Sequence, residues 1–143
     1  VNATIPSAAT LPTDVEWQLP CHARSVSRAR LRFRTQAEAW RLPADSVETA
    51  TLLLSELVTN AVRHAGAPDR EIRTRCVLGA DTLRVEVSDA GDGMPTPRTP
   101  DPEEECGRGL TLLAALASAW DTHPRPYGIG KTVWFEVPLT PEG

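Results

Sequence analysis

The stretch "EIRTRCVLGADTLRVEVS", residues 71–88, decides the fold. It holds two short runs, roughly Glu71 to Leu78 and Thr82 to Ser88, separated by the turn residues Gly79-Ala80-Asp81. In the second run Leu83, Val85 and Val87 alternate with Arg84, Glu86 and Ser88, which is the period of a pleated strand. Valine, isoleucine and threonine suit such a strand, and a short turn between two of them makes an antiparallel hairpin. Two strands in direct succession argue against a strictly alternating βαβ chain.

Reading outward from the hairpin, the preceding residues carry two helical patterns. "SVETATLLLSELVTNAVRHA" has Val47, Ala50, Leu54, Leu57 and Ala61 on one stripe, widened by Leu53, Val58 and Val62. Asp45 or Ser46 is placed to cap this helix, and Gly66 and Pro68 end it after about Ala65. Before Pro43, residues 25–42 place Val26, Ala29, Phe33, Ala37 and Trp40 at three- and four-residue spacing. Upstream of that, "TDVEWQLP" alternates Val15, Trp17 and Leu19 with polar neighbours and stops at Pro20, the pattern of an edge strand. Downstream, "DAGDGMPTPRTPDPEEECGRG" is too rich in Gly, Pro and acid to be regular. "LTLLAALASAW" reads as a short helix and residues 131–138 as a closing strand. The expected fold class is therefore α+β: a two-layer sandwich with a mixed, mostly antiparallel sheet covered by helices. Residues 1–12 read as a flexible leader and 13–143 as one domain.

The 143 residues suffice for one core, and 41% hydrophobic with 24% charged residues is ordinary for a folded chain. A net charge of −4 argues against a general nucleic-acid binder. The three cysteines are odd in number and far apart, so neither a disulfide scaffold nor a zinc site is expected. No signal-peptide pattern or long apolar run is present, and the expectation is a cytoplasmic protein without a membrane span.

Four places carry possible chemistry. Glu56 and Asn60 lie four apart on the second helix, so they project from one face. A carboxylate and an amide oxygen one turn apart can hold a hard cation or a water, and a solvated polar face has the same spacing. Asp89 follows a strand end and is followed by Gly91 and Gly93, so a carboxylate acceptor sits beside backbone that can approach a flat ring. Gly107 and Gly109 stand directly ahead of a helix, where N–H groups and the helix dipole favour phosphate. Finally, Gly130-Lys131-Thr132 imitates the end of a P-loop. Position 125 is Arg125 where that motif needs glycine, and a strand follows instead of a helix, so a glycine turn into the last strand is the better reading.

In this order "ELVTNAVRHA", "DAGDGMP", "GRGL" and "GKT" resemble the boxes of the GHKL superfamily of ATP-binding domains. Size and the ExxxN spacing look most like the bacterial anti-sigma-factor serine kinases. The resemblance implies an ATP site with Mg²⁺, in which Asn60 coordinates the metal that bridges the phosphates and Glu56 is the catalytic base. It implies that Asp89 recognises the adenine amine, with Gly91, Gly93 and Met94 along the ring. Gly107, Arg108, Gly109 and Leu110 would meet the phosphates, with a lid loop over about residues 90–107. Thr132 would support Asp89 from the neighbouring strand. The implied partners are an anti-anti-sigma factor as serine substrate and a sigma factor held inactive, with the kinase a homodimer. Two alternatives share the resemblance: a catalytically silent ATP-dependent binding module, and a detached histidine-kinase-like ATPase domain. Two charge runs accompany it. Residues 89–105 hold six acids against Arg98, and the first helix carries Arg24, Arg28, Arg30, Arg32, Arg34 and Arg41 against Glu38. The first suits a solvated flap; the second suits either an acidic partner or a bare wet face.

Overall fold

The computed structural model describes residues 12–65, 71–89, 105–125 and 130–139. In chain order these form β1 (Asp14–Pro20), α1 (Arg24–Trp40), α2 (Ala44–Ala65), β2 (Glu71–Leu78), β3 (Thr82–Ser88), α3 (Glu105–Leu116), β4 (Ala119–Pro124) and β5 (Lys131–Pro138). The five strands make one sheet in the order β1-β2-β3-β5-β4, and every neighbouring pair is antiparallel. This is the expected α+β sandwich, with β1 at an edge.

Periodicity explains which face is covered. Leu83, Val85 and Val87 of β3 and Val133, Phe135 and Val137 of β5 are buried, and they meet the buried stripe of α2, including Leu53, Leu54 and Val58. Phe33 of α1 and Leu113 of α3 complete the same core. Full burial of each such side chain contributes about 1.5–3 kcal/mol, so this layer supplies the main drive to fold. The opposite sheet face is polar. There Arg75 reaches Asp14 at 2.7 Å and Glu86 at 3.6 Å, Arg84 reaches Glu86 at 2.8 Å and Glu136 at 3.6 Å, and Arg84 stacks 3.9 Å above the Trp134 ring.

Three local readings change. The expected cap does not form, because α2 already includes Ala44 and Asp45. Ser46 instead donates its hydroxyl to the Pro138 carbonyl at 2.7 Å, tying α2 to the end of β5. The expected helix over residues 110–120 is shifted: α3 runs Glu105–Leu116, and Ala119 and Trp120 open a strand that the sequence pattern did not reveal. β4 pairs antiparallel with β5 and becomes the second edge of the sheet, with Trp120 opposite Phe135. As a consequence Gly107 and Gly109 lie within the first turns of α3 and not ahead of it.

Candidate functional site

The topology collects the chemistry at one end of the sheet. β3 ends there at Ser88 and Asp89, and β5 begins there, since Ser88 is the register partner of Thr132. α2 starts at the other end, where Ser46 meets Pro138, and runs back towards the start of β2. Its second half, carrying Glu56 and Asn60, is therefore on the Asp89 end. α3 also finishes at the other end, where the Ser118 N–H donates to the Glu136 carbonyl at 2.8 Å. Its N-terminus, with Gly107, Arg108, Gly109 and Leu110, thus faces the Asp89 end too. α2 and α3 both lie on the apolar face of the sheet, and they pack on each other.

Glu56 and Asn60 are half-buried on α2. Asn60 Oδ1 is buried and finds no hydrogen-bond partner among the described residues. Leaving such an oxygen unpaired costs about 1–3 kcal/mol, so it calls for an occupant. Two other buried atoms share this condition, Trp17 Nε1 and Thr74 Oγ1. Those belong to register partners on β1 and β2, whereas Asn60 stands on α2 one turn after Glu56. Its amide oxygen is a hard donor, which fits a magnesium ion held mainly by phosphate oxygens.

Asp89 is 5% exposed and is gripped from β5. Its main-chain N–H donates to the Lys131 carbonyl at 3.0 Å, the Lys131 ammonium donates to Oδ2 at 2.9 Å, and the Lys131 N–H reaches Oδ1 at 3.4 Å. Arg125 donates to the Asp89 carbonyl at 2.8 Å, and the Arg125 N–H donates to the Gly130 carbonyl at 2.8 Å. Gly130 makes this approach possible. Its φ is +115°, and a Cβ there would run into the Asp89 carbonyl and lie 2.7 Å from Oδ1. Cys21 links the two halves of the site. Its thiol donates to the Val62 carbonyl of α2 at 3.6 Å, and it titrates above the ordinary thiol range through burial and then the nearby Asp89 charge.

Thr132 stands on the strand beside Asp89, opposite Ser88. Its hydroxyl shares a 2.7 Å hydrogen bond with Ser88, the residue before Asp89, and both line the polar sheet face. They border a cavity of about 300 Å³ there, with Glu16, Arg73, His123 and Arg125 on its walls. That cavity is lined by none of Glu56, Asn60 and Asp89; it lies on the polar face and adjoins the Asp89 end through Arg125, Ser88 and Thr132. Gly91, Gly93 and Met94 lie outside the described residues, as do most of the acidic lid positions. Sequence reasoning missed Gly130, Lys131 and Arg125 as neighbours of Asp89. The glycine preceding the lysine was the one available signal; nothing in the sequence singled out Arg125.

The sequence profile described as "Histidine kinase-like ATPase domain" matches residues 19–136. The Serine-protein kinase RsbW of Bacillus subtilis (strain 168) is 32% identical over 116 residues, covering 71% of this chain and 72% of that protein. The Serine-protein kinase RsbW of Listeria monocytogenes serotype 4a (strain HCC23) is 34% identical over 85 residues, covering 58% of this chain. That match takes in 54% of the Listeria protein, so the chain spans about half the length of this relative. In structure, the RsbU and RsbW domains of a Mycobacterium tuberculosis protein superpose with a TM-score of 0.68 at 19% identity. That superposition covers 91% of this chain and 33% of the other, and it speaks to the fold alone. The profile match over most of the chain, together with the Bacillus relative, establishes that the chain belongs to the family of histidine kinase-like ATPase domains.

Proposed function

We propose that this chain is an ATP-dependent serine protein kinase that phosphorylates an anti-anti-sigma protein and holds a sigma factor inactive. The observation that carries the reading is the orphaned Oδ1 of Asn60, one helical turn after Glu56, at the same sheet end as Asp89 and the α3 N-terminus. The names of the Bacillus and Listeria relatives support the reaction class.

Each residue has a role suited to its chemistry. Bound Mg·ATP supplies the transferable γ-phosphoryl group. The Asn60 amide oxygen would hold the magnesium, satisfying a buried atom that has no partner among the described residues. The Glu56 carboxylate accepts the proton of the attacking serine hydroxyl; a positioned base of this kind contributes about 10²–10⁴-fold. The Asp89 carboxylate accepts a hydrogen bond from the adenine amine, with Gly91, Gly93 and Met94 beside the ring. Gly107, Arg108, Gly109 and Leu110 offer phosphate the positive end of α3. Thr132 supports the base-binding end through its hydrogen bond with Ser88, the residue before Asp89. Phosphoryl transfer depends on such positioning and charge neutralisation more than on covalent participation. The partners are protein: Arg24, Arg28, Arg30, Arg32 and Arg34 of α1 and Arg41 just after it are all exposed and suit an acidic docking surface. The kinase acts in the cytoplasm as a homodimer.

The test is incubation with γ-labelled ATP, magnesium and candidate anti-anti-sigma proteins. Label should appear on a serine of the partner. Nucleotide binding without any transfer to a partner would leave only the silent binding module.

A further inference from the structure

The contact between Lys131 and Asp89 has a consequence for how the site is entered. Asp89 carries the carboxylate that, on the reading above, accepts the adenine amine. Yet Lys131 engages both of its oxygens, with Nζ 2.9 Å from Oδ2 and the main-chain N–H 3.4 Å from Oδ1. The two differ in freedom: the Asp89 side chain is buried, whereas the Lys131 side chain is 34% exposed and ends a flexible four-carbon stem. Gly130 fixes the backbone of this arrangement, because only a residue without Cβ lets the 130–131 segment come so close to Asp89. The sequence holds one lysine among its fifteen basic residues, and it is this one.

We propose that the Lys131 ammonium is an internal stand-in for the adenine amine: it occupies the Asp89 acceptor when the site is empty, and the incoming base displaces it. Both groups are N–H donors seeking one carboxylate, so they compete. The apparent affinity for an adenine nucleotide is then lowered by the fraction of molecules in which the acceptor is free. Lys131 thus sets the nucleotide affinity, and the displaced ammonium moves into solvent when ATP binds. The inference rests on the assignment of Asp89 to the adenine amine.

The experiment compares Mg·ATP with the Mg complex of purine riboside triphosphate, which lacks the exocyclic amine, on the full chain and on its Lys131→Met variant. The variant should bind ATP about three- to tenfold more tightly and the amine-free analogue with unchanged affinity. A second readout needs no variant. Isotope-labelled lysine gives one side-chain NMR signal, which ATP should move towards that of a free lysine while the analogue leaves it in place. If the native chain prefers ATP to the analogue but Lys131→Met binds ATP equally or less well, or the lysine signal stays put, the displacement is wrong and the Asp89 assignment survives. If the native chain binds both nucleotides equally, or neither, the Asp89 assignment fails and the displacement falls with it.

Discussion

The two ends of the sheet are built on different terms. At the end where β5 finishes, polar groups are matched locally. Ser46 serves the Pro138 carbonyl, Leu139 donates to Asp81 at 2.9 Å, Leu78 donates to Thr13 at 2.7 Å, and Arg75 holds Asp14 through two hydrogen bonds. At the opposite end Asn60 keeps a buried oxygen without a partner among the described residues, Asp89 is a buried carboxylate, and Gly130 adopts a backbone conformation that side chains avoid. On the proposed function, a ligand at this second end offsets the cost of the Asn60 oxygen and of the Gly130 backbone, while the first end carries ordinary ties. In that sense the sheet has a structural end and a working end.

The sharpest way to break this contrast is to change the working end and look at chemistry alone. Glu56→Ala should lower phosphoryl transfer to a serine partner by about 10²–10⁴-fold while nucleotide binding is retained. Full transfer by the variant would remove Glu56 from the base role. Next in size is Gly130→Ala, which combines a disfavoured φ with a collision against the Asp89 backbone. It should cost about 2–4 kcal/mol in denaturant unfolding; a midpoint equal to that of the native chain would show that the working end is not built around this contact.

Asn60→Leu sharpens the comparison in the other direction. It removes an unpartnered buried oxygen and improves helix propensity, so the empty protein should gain about 1 kcal/mol while losing its response to Mg·ATP. A loss of stability in the absence of nucleotide would mean that the amide makes a structural bond. The smallest effect belongs to the structural end. The Arg75 hydrogen bond to Asp14 holds that carboxyl below its ordinary range. A group depressed on folding contributes stability above its unfolded pKa and loses it as pH falls through the folded one. Asp14→Asn should therefore cost under about 1 kcal/mol at neutral pH, and the difference from the native chain should shrink under acid, with nucleotide binding unchanged.

Much of the fold was legible in the sequence. The hairpin Glu71–Ser88, the stripes of α1 and α2 and the closing strand all follow from hydrophobic period and turn residues, which are local properties. β4 was not legible, because Trp120 to Pro124 become a strand only through pairing with β5, a contact made in three dimensions. Ser46 similarly looked like a helix cap and became a tie to a strand 92 positions away. Of the working end, Glu56, Asn60 and Asp89 stood out by residue type and spacing. The grip of Lys131 on Asp89 did not, since nothing in the GKT run says which way its lysine turns. The φ of Gly130 was hinted at by its type but not by its partner.

Thermal unfolding of the native chain and of Asn60→Leu, each with and without Mg·ATP, tests the shared site most directly. Nucleotide at a hundredfold over its Kd should stabilise the native chain by about 2.7 kcal/mol, several degrees in Tm, and leave the variant unmoved. An unchanged native Tm, or an equal rise in both proteins, would contradict a nucleotide site built on Asn60.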